Sequence, residues 1–229
     1  MAESDHYWAE MKRRESHRDR HRRVMDIIFH LSRLYPHVSC GLIYNNPFEL
    51  LIAVILSAQC TDLRVNKITP SLFERFPDVE AFAEVDRIQL EEAIHSTGFF
   101  RHKAKNIQLC CQQLILRHEG RIPRSLSALV ELPGIGRKTA NVVLGEIYGL
   151  QGVVVDTHVK RISRLLGLTE NENPVKIEYD LMKILPPMSW NLFSHLLIYH
   201  GRNLCPARRP WCERCPLFNL CPGSTQAES

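Results

Sequence analysis

Apolar positions recur along this chain at three- and four-residue spacing, and β-branched runs are few, so the pattern predicts an all-α protein. A first helix is expected from about Arg22 to Leu34, with Val24, Ile27, Ile28, Leu31 and Leu34 on one face. The next has a marked start: Asn46 as N-cap, Pro47 at the first helical position and Glu49 completing a capping-box-like pattern. Its body, Leu50 to Ala58, is apolar all round and predicts the central buried helix. Further helices are expected at roughly 63–76, 79–85, 87–96 and 103–117, with Gly98 and Gly120 as C-terminal stops. A pair at about 125–132 and 137–148 brackets a short turn and is closed by Gly149. Val153–Val155 reads as a short extended approach to Asp156, the expected N-cap of a helix over 157–166. Two last helices begin near Asn173-Pro174 and Ser189. No repeat or low-complexity tract interrupts the series.

At 229 residues the chain can bury a substantial core, as one large domain or two small ones. Its net charge of +4 excludes a polycation, but the charge is uneven. Residues 12–23 hold seven Lys/Arg against Glu15 and Asp19, which predicts a flexible basic arm or a frayed helix start with weak affinity for polyanions. Glu3, Asp5 and Glu10 argue against a mitochondrial transit peptide, and no secretory signal is visible. The longest apolar run, Leu50–Leu56, is too short to span a bilayer.

Of eight cysteines, Cys40, Cys60, Cys110 and Cys111 lie in or beside apolar segments and read as small buried hydrophobes. The other four form Cys205-x6-Cys212-x2-Cys215-x5-Cys221, a tail with too little apolar content to fold without a staple. Without a secretory signal, metal ligation in a reducing compartment is the better reading than disulfides. Structural zinc usually pairs two Cys-x2-Cys knuckles far apart, whereas a single knuckle with close partners favours a four-cysteine iron–sulfur cubane. Arg208, Arg209 and Arg214 share this segment, either as solvated loop charges or as a phosphate-facing basic loop.

The candidate chemistry lies in Leu132-Pro-Gly-Ile-Gly-Arg-Lys-Thr-Ala-Asn141. Glycines at 134 and 136 permit a tight turn, and the amides opening the next helix suit a phosphate. Lys138 follows as an amine beside that anion site. On its own this reads better as a glycine C-cap followed by a solvated lysine.

Together with Val155-Asp-Thr-His158, Leu56-Ser-Ala-Gln59, Thr61-Asp62, His200-Gly-Arg202 and the cysteine spacing, this motif resembles the endonuclease III family over about residues 24–222. That resemblance implies a bifunctional DNA glycosylase and abasic-site lyase of the helix-hairpin-helix superfamily, with two helical lobes flanking a DNA-binding cleft. A basic, flexible arm would occupy 1–23 and a six-helix barrel 40–150. An iron–sulfur lobe would combine 24–39 with 151–229, its [4Fe-4S] cluster held by Cys205, Cys212, Cys215 and Cys221. Lys138 would be the catalytic nucleophile, its deprotonation favoured by the helix N-terminus and Arg137, and Asp156 would stabilise positive charge on the sugar. Gln59 would fill the stack vacated by a flipped base, and Phe99 would be a second wedge where the family often has leucine. Leu132, Gly134, Gly136, Arg137 and Thr139 of the hairpin, with Arg208 and Arg209, would contact DNA. The expected partner is damaged duplex DNA, bound by a cytoplasmic, nucleoid-associated monomer without a membrane. Lysine at 138 disfavours the adenine- and thymine-mismatch branches of the superfamily. A noncatalytic DNA-binding module and an electron-transfer protein are the rival classes.

Overall fold

The computed structural model describes residues 15–149 and 152–226. Among them the chain is helical, with no strand. In order the helices are α1 (His17–Leu34), α2 (Pro47–Leu56), α3 (Asp62–Arg75), α4 (Val79–Glu84), α5 (Arg87–Ile94), α6 (Phe100–His118), α7 (Leu126–Val130), α8 (Arg137–Tyr148), α9 (Thr157–Leu165), α10 (Pro174–Ile184) and α11 (Trp190–Asn203). Short 3-10 turns at His95–Thr97, Pro187–Ser189, Cys212–Arg214, Phe218–Leu220 and Pro222–Gln226 complete it. The chain divides into two compact units, Cys40–Leu150 and Met1–Ser39 with Gln151–Ser229.

In the first unit α2 is the hub, because every residue from Leu50 to Leu56 is apolar and buried. It packs against α3, α6 and α8, while α6 covers α4 and α5. The start of α2 is fixed by Asn46, whose side chain accepts from the Glu49 amide at 2.9 Å. The Glu49 carboxylate returns to the amide of Asn45 at 2.7 Å, one residue earlier than a strict capping box requires.

The second unit sets Val24, Ile27, Ile28 and Leu31 of α1 in one core with α9, α10 and α11, with α1 packed on α10 and α11. Val153–Val155 is buried and outside any helix, and the Val154 amide donates to Ser194 Oγ at 2.9 Å. That bond satisfies a backbone group in a segment with no strand partner.

Helix α1 starts five residues before the expected Arg22, because Ser16 Oγ accepts from the Asp19 amide at 3.1 Å and so caps it. The arm expected to be flexible through residue 23 is therefore helical from His17, and its residues 1–14, with Lys12, Arg13 and Arg14, lie outside the described residues. Nor is Arg23 a solvated charge. Its Nε meets Glu15 Oε1 at 2.7 Å and its Nη1 donates to Leu166 O at 2.7 Å, so carboxylate and carbonyl take the place of water. Helix α6 begins at Phe100, three residues before expectation, directly after the turn at Gly98. Cys110 and Cys111 are buried as expected, and burial pushes the Cys110 thiol up to about 12. Cys40 and Cys60 are only half-buried, since each lies in a loop beside α2 rather than on a helix face.

Candidate functional site

The turn between α7 and α8 is held from inside. Leu132 N donates to Leu129 O and Ile135 N to Leu132 O, both at 3.1 Å, while the two side chains sink into the core. Leu132 is only 2% exposed, so its side chain anchors the hairpin from within the core and leaves only its backbone to meet a ligand. Gly134 has φ +82°, and a Cβ there would stand 3.0 Å from Asn106 Cβ of α6. Only glycine satisfies both conditions. Gly136, the N-cap of α8, is exposed and open on its outer side.

No side chain caps α8, whereas side-chain oxygens cap α1 to α5, α7, α9 and α10. Its first-turn amides, which no intrahelical carbonyl can accept, gather the positive end of the helix dipole. Lys138 is exposed in this first turn, flanked by half-buried Arg137 and Thr139. An amine next to an anion-binding helix start can attack an electrophile whose phosphate is held there.

Gln59 and Phe99 belong to the same unit, in the loops after α2 and before α6. Gln59 is exposed with φ 52°, and Phe99 is 66% exposed with φ 49°. Left-handed backbone at a non-glycine residue costs roughly 1–2 kcal/mol, so both loops carry strain. A phenylalanine left this open is not a core aromatic.

In the other unit Asp156 caps α9. Its Oδ1 accepts from Val159 N at 2.8 Å, and its Oδ2 lies 3.0 Å from His158 Nδ1. With only 13% of the side chain exposed, both oxygens are fixed in direction.

Cys205, Cys212, Cys215 and Cys221 line one cavity of about 290 Å³, shared with Arg161, Leu165 and His200. Among the described residues no group of three or more His, Cys, Asp or Glu side chains is drawn tightly enough to grip a single ion. Four thiols around one cavity are a donor set whose chemistry fits a thiolate-ligated metal group. Arg161 Nη1 lies 3.5 Å from Cys205 Sγ, and His200 Nε2 lies 3.5 Å from Cys215 Sγ. Burial pushes the Cys215 thiol up to about 11 and Cys221 up to about 12, and the neighbouring cysteines push the same way. Arg208 and Arg209 are exposed in the loop between the first two cysteines, Arg209 in left-handed backbone at φ 57°.

Residues 52–187 match the HhH-GPD superfamily of base excision DNA repair proteins. The chain is also 54% identical over 203 residues to Endonuclease III of Synechocystis sp., spanning 88% of this chain and 93% of that one. The chain belongs to the endonuclease III family. Two solved structures are similar at 41% identity. One, a non-covalent Endonuclease III–DNA complex, has a TM-score of 0.86 over 91% of this chain and 98% of its own. The other, a trapped Endonuclease III–DNA covalent intermediate with an estranged adenine, has a TM-score of 0.87 over 91% and 99%. In this family member the superfamily match takes in Gln59, Phe99, the hairpin, Lys138 and Asp156, while the four cysteines lie beyond it.

Sequence reasoning missed His158, Arg161 and His200 as partners of Asp156, Cys205 and Cys215. It also missed Lys103, which is 4% exposed. The signal for Lys103 was a charge in phase with the apolar stripe Phe100, Ala104, Ile107, Cys111 and Leu114.

Proposed function

We propose that this family member is a base excision repair enzyme: a DNA glycosylase with abasic-site lyase activity, excising oxidised pyrimidines from duplex DNA. The observation that carries this reading is the exposed amine of Lys138 in the uncapped first turn of α8, behind the Gly134–Gly136 turn. The α8 amides bind a backbone phosphate, and Gly134, Gly136, Arg137 and Thr139 let the strand approach. The neutral Lys138 amine attacks C1′ of the damaged nucleoside, and the bond to the base breaks with its electron pair. Asp156 stabilises the positive charge that develops on the sugar and assists proton transfer. Ring opening leaves a Schiff base between Lys138 Nζ and C1′. Loss of the C2′ proton then expels the 3′ phosphate by β-elimination, cutting the strand 3′ to the lesion.

The target base must leave the stack, and Gln59 and Phe99 fill the gap. Exposure and left-handed backbone at both tips support this assignment. Cys205, Cys212, Cys215 and Cys221 would hold a [4Fe-4S] cluster, whose iron would supply the positive charge that lets four half-buried thiols ionise. Arg208 and Arg209 meet the DNA backbone beside it. No helix among the described residues is long and apolar enough to cross a membrane. The protein acts as a monomer on chromosomal DNA, in the cytoplasm at the nucleoid.

Borohydride trapping tests the reading. A covalent adduct is expected with abasic and thymine-glycol duplexes, and none with Lys138→Gln. Absence of an adduct with the native protein would favour a noncatalytic DNA-binding module.

A further inference from the structure

Lys103 is a charged residue at the root of both loops assigned to duplex opening. It is 4% exposed, among the core side chains of α6. Its Nζ donates to Leu56 O and to Thr97 O, each at 2.8 Å. Leu56 ends α2, and Gln59 follows three residues on; Thr97 ends a 3-10 turn, and Phe99 follows two residues on. Both acceptors are C-terminal carbonyls that no later helical amide satisfies, the place where a cation is favoured. The backbone amide of Lys103 also donates to Phe99 O at 3.0 Å. One residue therefore holds the Phe99 loop through main and side chain and the Gln59 loop through its amine.

We propose that Lys103 is a positioning residue for duplex opening: it pins the two loops to one another, so that Gln59 and Phe99 enter the base stack as one unit. The proposal rests on the assignment of those two residues as gap fillers. Left-handed tips are strained, and strained backbone persists only where the surroundings over-determine it. A compact ammonium with three rotatable donors reaches two carbonyls that arrive from different chain segments. Without it both carbonyls are buried and unsatisfied, and each loop relaxes independently. Burial holds the Lys103 amine below its usual range, against the opposing influence of the Cys60 thiol.

The experiment compares incision at an abasic site in duplex and in single-stranded DNA, since only the duplex needs the gap filled. Lys103→Met, which keeps the stem and removes the donor, is expected to lower the duplex-to-single-strand ratio about tenfold, the scale of one charged hydrogen bond. Gln59→Ala should lower the same ratio, and the double variant should fall no further than the worse single one. Should Lys103→Met fail to fold, Lys103→Gln takes its place, with a ratio loss of at least about threefold expected and a native ratio overturning the proposal. Parallel loss on both substrates, or additive losses in the double variant, overturns it too. A native ratio in Gln59→Ala removes the assignment on which the proposal rests. A lowered ratio there with none in Lys103→Met or Lys103→Gln defeats the role of Lys103 alone, while failure to trap the native protein defeats the lyase reading itself.

Discussion

Asp156 has one oxygen on the Val159 amide and the other near His158, so its substitutions can separate structure from chemistry. Asparagine caps a helix about as well as aspartate but carries no charge. Asp156→Asn is therefore expected to keep the unfolding midpoint near native while base excision falls at least about a hundredfold. Asp156→Ala should lose the cap as well, about 1 kcal/mol by denaturant titration. An Asn variant that excises normally would leave Asp156 as a cap alone. At this scale the sequence was informative where residue type carries a local role, as with Asp156 at its N-cap and the four cysteines that line one cavity. It was silent on direction. Whether Leu132 faced DNA or the core, and whether Phe99 was buried or open, depended on contacts from residues far along the chain.

The hairpin between α7 and α8 divides its two glycines by task. Gly134 combines φ +82° with the approach of Asn106, so Gly134→Ala is expected to cost about 1–2 kcal/mol from backbone conformation, with the crowding added. Gly136 is in extended backbone with open space, so Gly136→Ala should cost at most about 1 kcal/mol, the loss of a tolerated N-cap. Its added methyl would instead obstruct a phosphate at the α8 amides and weaken duplex binding. Thermal melts and binding isotherms of the two variants check this, and a larger stability loss at Gly136 would contradict it. The motif made the turn legible, but the two glycines look alike in sequence. They are separated by α6, which the chain brings alongside from nearly thirty residues earlier. Element boundaries followed the same logic. The strong caps of α2 and α9 were readable, whereas the start of α1 was obscured by charges that pair only after folding.

In the unit that includes α1, Glu15 stands just before that helix and pairs with Arg20 and Arg23 within it. Burial raises its carboxyl, but the hydrogen bond and charge of Arg23, then those of Arg20, outweigh this and hold it below the usual 4.5. Its stabilisation is thus fully present above that value. As pH falls below it, the unfolded chain takes up a proton that the folded carboxylate resists, and the contribution is lost through the lower folded value. Glu15→Gln is expected to be less stable than native near neutral pH by about 2 kcal/mol, with the two proteins converging in acid. Urea midpoints across that range test it, and parallel curves would place the stabilisation elsewhere.

The sequence by itself determined the helical class, the order of helices, the glycine turn, the amine at 138, the carboxylate at 156 and the four-cysteine tail. Each is a local property, set by periodicity, by a cap or by ligand spacing over a few residues. Tertiary structure alone decided that Arg23 is a partly buried strut and that Cys40 and Cys60 are half-open. It also decided that Lys103 reaches two loops and that the four thiols line one cavity. The physical reason is desolvation: a charge or thiol takes its role from what replaces its water, and those groups come from segments the local pattern does not connect.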